Sequence, residues 1–188
     1  TEENPNYFTR GGRIDPTGKY LVYGANYDFG KEKEIEETVV YRKNLLTNEQ
    51  LALSHPQKGT YTVPVLNEAG TQILYTRSDE DPRGEQIWLA DIDGNKDEEI
   101  LNLGSKAKVT VSWASDKQVI FVAEENEYKK VGLYDIETEE ITWLVNDSKR
   151  NIEDAYVPHG STSAVIEEVQ DAVSTFTLYN LETREEIL

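Results

Sequence analysis

Few residues in this sequence have the type and spacing that chemistry at a site requires. The two histidines, His55 and His159, stand beside Pro56 and Gly160, and no repeated ligand spacing surrounds either of them. The sequence contains no Gly-x-Ser-x-Gly elbow, no glycine-rich phosphate loop and no His-Glu-x-x-His motif. Each of these motifs places a nucleophile, a phosphate cradle or a metal at a fixed spacing. We therefore expect no catalytic residue, no metal site and no cofactor in this chain.

The stretch 91–98 superficially resembles a calcium-binding loop, because Asp91, Asp93 and Asn95 alternate with other residues. In an EF-hand loop the invariant glycine is the sixth residue and follows three oxygen ligands. Here Gly94 is the fourth residue and follows Asp93 directly. An Asp-Gly pair between two apolar runs is typical of a β-hairpin turn. The hairpin is therefore the better interpretation, and calcium is not expected.

One sequence motif recurs four times along the chain, and it predicts the strands and turns that would hold any functional residues in place. The segment DPTGKYLVY (15–23) returns as NEAGTQILY (67–75), one residue shorter as 114–121, and faintly as 160–166. A second marker follows each copy, and its aligned residues Asn44, Asp91, Asp135 and Asn180 are 47, 44 and 45 residues apart. A polar turn before an apolar strand, repeated every 40–45 residues or so, is typical of a β-propeller.

Short runs rich in β-branched and aromatic residues, bounded by Gly, Asp and Asn, predict strands throughout the chain. We predict an all-β chain, a β-propeller of four four-stranded antiparallel blades over residues 5–55, 58–104, 107–147 and 152–188. The innermost strand of the second blade is placed at 61–65, and Tyr75 is expected to be packed in the core. Charged loops are expected at 27–36 and 124–130, between a second and a third strand in each case.

Arg150, Asn151 and His159 are the candidate binding residues. Arg150 and Asn151 lie in the connection that leads from the outer strand of the third blade to the inner strand of the fourth, and His159 follows that inner strand. Such connections meet on one face of the disc near the channel, where propellers commonly bind ligands. The alternative explanations are loop-stabilising hydrogen bonds for Arg150 and Asn151, and a polar turn position for His159.

Composition excludes several classes of partner. The chain has 36 acidic and 19 basic residues, a formal charge of −17, so nucleic acid and anionic membrane surfaces would be repelled. It has no cysteine, no apolar run of about 18 residues and no signal-peptide pattern, and we expect a cytoplasmic location. Because the sequence contains no methionine, we expect either a processed chain or a piece of a longer one.

The blade motifs resemble those of a known family. The turn DPTGK (15–19) is similar to the PDGK signature of TolB-type, WD40-like repeats. Segments 36–45 and 86–94 resemble third strands in the amino-terminal propellers of the prolyl oligopeptidase family of serine peptidases, and 150–158 is similar to interblade segments of its bacterial members. The resemblance covers essentially the whole chain and implies that the four blades are part of a seven- or eight-bladed propeller. The α/β-hydrolase domain that carries the family's catalytic residues has no counterpart in this sequence.

This resemblance implies a non-enzymatic propeller portion of a prolyl oligopeptidase-like peptidase, which gates access to the active site and helps position oligopeptides. It also implies the parent's α/β-hydrolase domain as a partner. The alternative is a stand-alone TolB-like scaffold that binds a peptide or protein. A third class, an enzyme acting in the channel, is weakened by the lack of a histidine and carboxylate cluster. An arc of four blades would leave an apolar face at each end. Closure into a four-bladed ring, pairing of two chains head to tail, or pairing with the rest of the parent protein would each cover these faces, and we favour a homodimer for the isolated chain.

Overall fold

A computed structural model describes residues 8–55, 63–78, 84–104, 107–125, 128–147 and 149–187 of the chain. The regular structure within these residues consists of β-strands arranged in four antiparallel sheets. Each sheet contains four strands that are consecutive in the chain and pair in chain order. This architecture confirms the predicted four four-stranded antiparallel units, each of which is a separate meander.

The sheets follow one another along the chain. The strands of the first sheet are β1 (Thr9–Ile14), β2 (Tyr20–Asp28), β3 (Lys33–Asn44) and β4 (Gln50–Ala52). Those of the second are β5 (Val65–Leu66), β6 (Gln72–Arg77), β7 (Gln86–Asp91) and β8 (Asp97–Asn102). The third contains β9 (Lys108–Trp113), β10 (Gln118–Glu125), β11 (Tyr128–Asp135) and β12 (Ile141–Val145). The fourth contains β13 (Ile152–Tyr156), β14 (Ser163–Gln170), β15 (Val173–Asn180) and β16 (Glu185–Glu186).

Side chains on the second strand of a sheet point alternately to its two faces, and this explains how the sheets stack. In β10, Phe121 packs in the cluster shared with the second sheet, whereas Ile120 and Val122 pack in the cluster shared with the fourth sheet. Successive side chains of a strand point to opposite faces, so a continuous apolar run buries both faces of the third sheet. Among the described residues, each neighbouring pair of sheets shares one such cluster.

The core contains the residue that the repeat marks most clearly. Tyr75, the second-sheet counterpart of Tyr23 and Phe121, is fully buried between the first and second sheets. The prediction that Tyr75 is packed is therefore confirmed. The predicted inner strand at 61–65 is described only from residue 63, where β5 covers Val65–Leu66; residues 61 and 62 lie outside the described part of the chain.

The charged segment 27–36 was predicted as a loop, and this prediction is wrong. β2 runs to Asp28 and β3 begins at Lys33, with Tyr27 paired to Glu34 and Asp28 paired to Lys33. The predicted loop 124–130 is likewise mostly strand, because Glu124 pairs with Lys129. Strand pairing uses backbone hydrogen bonds, so side-chain polarity does not prevent it on exposed hairpins.

In the part of the chain that the structure describes, none of the secondary structure is a helix long and apolar enough to cross a bilayer.

Candidate binding site at the inner turns

The four inner turns, one after the first strand of each sheet, are built by the same local device. In the first, the Asp15 carboxylate accepts hydrogen bonds from the backbone N–H groups of Thr17 (3.1 Å) and Tyr20 (2.6 Å). In the second, Asn67 Oδ1 accepts hydrogen bonds from the N–H groups of Thr71 (2.8 Å) and Gln72 (3.0 Å). Short polar side chains favour turns because they can bond to the backbone a few residues ahead.

Hydroxyl groups take the same role in the third and fourth inner turns. Ser115 Oγ accepts a hydrogen bond from the N–H of Gln118 at 3.1 Å, and Ser161 Oγ accepts one from the N–H of Ser163 at 3.0 Å. The first, second and fourth turns also contain glycines at positive φ, Gly18 at 73°, Gly70 at 71° and Gly160 at 69°, a conformation that favours glycine. The faint fourth copy of the sequence motif is therefore a genuine structural equivalent of the first three.

Asp15 is the buried charge among these turn residues. Burial opposes its ionisation, but hydrogen bonds from the Thr17 side chain and from the backbone of Tyr20 outweigh burial and hold the pKa of Asp15 below its ordinary value. The carboxylate is therefore charged at neutral pH while it is almost fully enclosed. Its charge stabilises the turn rather than facing a ligand.

The second inner turn contacts each of the other three. Asn67 donates a hydrogen bond from Nδ2 to Asp116 Oδ1 of the third turn at 2.9 Å. Glu68 Oε1 lies 3.5 Å from His159 Nδ1 of the fourth. Gly70 lies so close to Pro16 of the first that a Cβ atom would clash with the proline ring. The four turns therefore form one cluster, with the second turn at its centre.

A cavity of about 610 Å³ lies between the four turns, which we call the inner-turn cavity. Its walls come from Arg13, Ile14 and Pro16 and from segments 66–68, 113–116 and 157–161, so all four sheets contribute. Trp113 is held against it because its indole N–H donates to the carbonyl oxygen of Val65 at 2.8 Å. The volume is typical of a ligand pocket, and its position at the ends of the innermost strands makes it our candidate site.

The inner-turn cavity combines apolar walls with polar groups at its rim. Leu66, Trp113 and Val157 supply apolar surface, while Glu68 and His159 supply exposed polar groups. In the described part of the chain, no serine hydroxyl bonds to a histidine, and no three His, Asp or Glu side chains converge on a possible metal site. The arrangement fits binding of an elongated ligand with both apolar and polar groups.

The structure separates the three residues predicted as binding candidates. Arg150 forms ion pairs with Glu168 and Glu186, and the Asn151 side chain donates a hydrogen bond to the carbonyl oxygen of Val169. Both residues therefore hold the fourth sheet together and lie outside the inner-turn cavity. His159 lines the cavity. Whether any of the three binds a ligand stays a prediction.

Sequence reasoning missed most of the cavity wall, although the signal was present. The repeated turns mark the fold, and the side chains beside them recur once in each unit. Residues at matching repeat positions necessarily meet when four units stack in order. Leu66, Trp113 and Val157 are such residues, since each ends or follows the innermost strand of its own sheet.

A second polar cluster lies between the first and second sheets. Asp97 accepts hydrogen bonds from the Tyr75 hydroxyl and from the backbone N–H of His55 (3.1 Å), and its Oδ2 lies 3.9 Å from Arg77 Nη1. The Arg77 guanidinium stacks on Trp88 at 3.7 Å from the ring centroid. Burial, followed by the hydrogen bond to Asp97, raises the pKa of Tyr75. Tyr75 and Arg77 are buried, and the bond from the His55 N–H links the segment after the first sheet to the second sheet.

Comparison with known proteins identifies the fold. No family model and no curated protein matches the sequence. Among solved structures, TolB from Acinetobacter baumannii is 14% identical, with a TM-score of 0.69 over 95% of this chain and 42% of that chain. A puromycin hydrolase is 15% identical, with a TM-score of 0.74 over 99% of this chain and 31% of that one.

A third match is the β-propeller domain of the Trilobed protease from Pyrococcus furiosus. It is 17% identical, with a TM-score of 0.55 over 90% of this chain and 56% of that domain. The chain thus spans less than half the length of TolB and of the puromycin hydrolase. At these identities the likeness concerns the fold, and it confirms the predicted resemblance to TolB and prolyl oligopeptidase-type propellers at that level. The chain is a β-propeller segment of four blades.

Proposed function

We propose that this chain is the non-catalytic propeller portion of a prolyl oligopeptidase-like serine peptidase. In this role it limits access to a catalytic α/β-hydrolase domain and helps position oligopeptides. The observation that carries the proposal is the inner-turn cavity, to which all four sheets contribute at the ends of their innermost strands. The fold likeness to a puromycin hydrolase over 99% of this chain supports the same class of parent protein.

The lining of the cavity fits an oligopeptide better than a small uniform ligand. A peptide alternates apolar side chains with backbone donors and acceptors, and the cavity offers both kinds of partner. Trp113 and Leu66 supply apolar contacts, and Glu68 and His159 supply an acceptor and a donor at the rim. The rim is open enough that Ile14 is 60% exposed, so a chain can cross the cavity without being enclosed.

The proposal also includes the absence of an assembled nucleophile among the residues that the structure describes. Ser115 and Ser161 of the cavity wall use their hydroxyl groups to build the inner turns. We therefore expect the purified chain to hydrolyse neither peptide nor ester substrates. Turnover that a serine-directed inhibitor blocks would contradict this expectation.

The binding proposal can be tested with fluorine NMR, because the chain contains three tryptophans. The protein is labelled with 5-fluorotryptophan, and Trp→Phe variants assign the three signals. We expect short oligopeptides to shift the Trp113 signal and to leave that of Trp143, on an outer strand, in place. No shift at millimolar peptide, or equal shifts of both signals, would contradict the proposal.

A matched pair of histidine variants sharpens this test. His159 lies in the cavity wall, and His55 lies beside Asp97 in the other polar cluster, yet both side chains are mostly exposed. We expect His159→Ala to weaken oligopeptide binding and His55→Ala to leave it unchanged. Equal affinities of the two variants would remove His159 from the proposed site.

A stand-alone TolB-like scaffold for a folded protein is the second candidate. The fold likeness to TolB over 95% of this chain and the open rim at Ile14 favour it. The encoding gene distinguishes the two candidates. A Gly-x-Ser-x-Gly motif followed by Asp and His downstream of this segment supports the peptidase, and a reading frame without them supports the scaffold.

A further inference from the structure

The outermost strand of the third sheet, β12, has a free edge at the perimeter of the molecule. Among the described strands, β12 pairs with β11 alone. The second and fourth sheets pack on the two faces of the third sheet. Further blades of a larger propeller would stack on the faces of the first and fourth sheets, so they would not cover this edge.

β12 lacks the features that protect the other outer strands. Proteins protect free strand edges against pairing with other chains by keeping the strands short or by placing charged residues on them. The outer strand β4 has three residues and β16 has two, and β8 carries Asp97, Glu98 and Glu99. β12 has five residues, ITWLV, which include neither a charged residue nor a proline. It is therefore the outer strand best suited to pair with another strand.

The hydrogen-bond pattern between β11 and β12 shows which backbone groups of β12 point away from β11. In an antiparallel pair, opposed residues alternate between those that exchange hydrogen bonds and those that do not. The N–H of Asp135 donates to the carbonyl oxygen of Glu140 at 3.0 Å. Leu133 and Thr142, two residues further along each strand, are opposed as well. Glu140 and Thr142 therefore turn their backbone groups toward β11.

Ile141 and Trp143 turn their backbone groups to the free edge. Both are opposed to residues of β11, but the alternation gives them no hydrogen bond to that strand. Leu144 has no opposed residue, because the register shifts there. The regular part of the edge therefore offers two N–H donors and two carbonyl acceptors to an added strand.

The surroundings of this edge combine an apolar surface with negative charge at one end. Trp143 is 37% exposed and packs edge-on against Phe121, with ring centroids 5.6 Å apart. Lys130 Nζ lies 5.6 Å from the centroid of the Trp143 ring. Glu139 and Glu140, both exposed, directly precede β12. An added strand would thus meet apolar surface at Trp143 and two carboxylates beside the first residue of β12.

We propose that β12 accepts an extended segment of a partner protein as a fifth, antiparallel strand. Addition of a strand to a free edge is a common mode of peptide recognition, in which main-chain hydrogen bonds supply affinity and side chains supply specificity. Apolar side chains of the segment pack on Trp143. Basic residues at its carboxyl end lie beside Glu139 and Glu140, because an antiparallel strand ends where β12 begins.

A second copy of β12 is a poorer occupant than a basic segment. Antiparallel pairing of two copies centred on Trp143 would place Glu139 of one copy opposite Asp147 of the other, and like charges directly opposite each other destabilise strand pairing. The proposal uses the perimeter of the third sheet and is independent of the inner-turn cavity and of the proposed function.

Amide hydrogen exchange followed by NMR tests the strand addition. The probe is the acetylated, amidated peptide VTVTVTKK at a saturating concentration. We expect exchange of the Ile141 and Trp143 amides to slow at least about tenfold, and that of Thr142 to stay unchanged because its N–H already faces β11. The tripeptide VTV, which lacks both the length and the lysines, should leave all three rates unchanged.

Two results of this experiment would overturn the proposal. One is unchanged exchange of Ile141 and Trp143 at millimolar VTVTVTKK. The other is a shift of the Trp113 fluorine signal without protection of these two amides, which would place the peptide in the inner-turn cavity instead.

A proline variant tests the outward backbone donor. Proline is tolerated on edge strands where its nitrogen faces solvent, so Ile141→Pro removes one donor of the free edge and no hydrogen bond to β11. We expect this variant to bind VTVTVTKK at least about tenfold more weakly by calorimetry. Ile141→Val, which keeps the N–H, is the matched control and should bind as the unsubstituted protein does. Circular dichroism melting checks that both variants are folded, and equal affinities would contradict strand addition.

A charge test checks the direction of the added strand. We expect VTVTVTKK to bind more tightly than the reversed arrangement KKVTVTVT, and the double variant Glu139→Gln, Glu140→Gln to remove this preference. Glu182→Gln with Glu185→Gln, in the matching turn of the fourth sheet, changes the net charge equally and should preserve it. If the chain forms a dimer that Ile141→Pro converts to a monomer, the edge pairs with a second copy and the proposal is wrong.

Discussion

The first and fourth sheets differ in how far the aromatic side chains on their outer faces are covered. On the first sheet, Tyr23 and Tyr41 are 7% and 6% exposed, and Phe29 packs edge-on against Tyr41 with ring centroids 5.0 Å apart. On the fourth sheet, Phe176 and Tyr156 remain open to solvent. An extended hairpin thus supplies cover for one end, whereas the other end keeps its aromatic residues available. The four units share one repeat, but the hairpin of the first sheet makes the outer faces of the first and fourth sheets different.

We expect the largest loss of stability from a substitution between the sheets. Tyr75 is fully buried and its hydroxyl bonds to Asp97. We expect Tyr75→Ala to lower the free energy of unfolding by about 3–5 kcal/mol, the usual cost of removing a buried aromatic side chain. Lys96→Ala, in a surface hairpin, should change it by less than about 0.5 kcal/mol. Urea denaturation measures both, and equal midpoints would show that the stacking register is wrong.

Tyr41→Ala tests whether the first end is genuinely closed. The Tyr41 ring contacts Phe29, and its hydroxyl donates to the carbonyl oxygen of Tyr27 at 2.8 Å. We expect a loss of about 3 kcal/mol in the free energy of unfolding, nearly as large as for Tyr75→Ala. A loss below about 0.5 kcal/mol would mean that the first end is as open as the fourth, and the contrast between the ends would disappear.

Acid should weaken the inner turn of the first sheet and spare that of the fourth. Because the pKa of Asp15 is below its ordinary value in the folded protein, its charge stabilises the fold above that ordinary value. This contribution is lost as the pH falls through the lower folded-state value. The serine of the fourth turn does not titrate.

Thermal unfolding measured as a function of pH provides the check on Asp15. Between about pH 5 and pH 3, near the ordinary pKa of an aspartate, we expect Tm to fall further for the unsubstituted protein than for Asp15→Asn. The asparagine at the matching position of the second turn, Asn67, shows that an amide oxygen can take the same hydrogen bonds. Parallel curves for the two proteins would exclude a role for the Asp15 charge.

Phe176→Ala should have the smallest effect of the series. At 59% exposure its ring contributes little to the stability of the monomer, so we expect a change within about 0.5 kcal/mol. The measurement belongs at a protein concentration low enough to prevent association, since association stabilises the folded state. A loss as large as that for Tyr41→Ala would show that Phe176 is covered within its own chain.

The repeating units could be predicted from sequence because each depends on local signals. A polar turn, an apolar strand and a hairpin marker recur within one unit, and all three are visible in segments such as 67–75 and LYDIET. The charged hairpin at 27–36 is hard to predict because polarity is a weak guide to strand pairing in an exposed hairpin. Its backbone pairs in register whether its side chains are charged or apolar.

The site was harder to predict because it depends on contacts between units. The contact of Glu68 with His159 joins residues of the second and fourth sheets, and no pattern within one unit encodes it. Arg150 and Asn151 were plausible from their position in a connection, but the carboxylates that hold Arg150 come from β14 and β16 of the same sheet. Sequence position could not distinguish these structural partners from a ligand.

The central position of the second inner turn also affects how this molecule can evolve. Repeated units that arise by duplication begin as equals, but their neighbours then restrict them unequally. A side chain at Gly70 would displace Pro16 of another unit, and losing the Asn67 side chain would remove the bond to Asp116. Few substitutions at these positions of the second copy would therefore preserve its contacts. The fourth copy meets the cluster through His159 at an exposed contact, and its sequence matches the other three copies least.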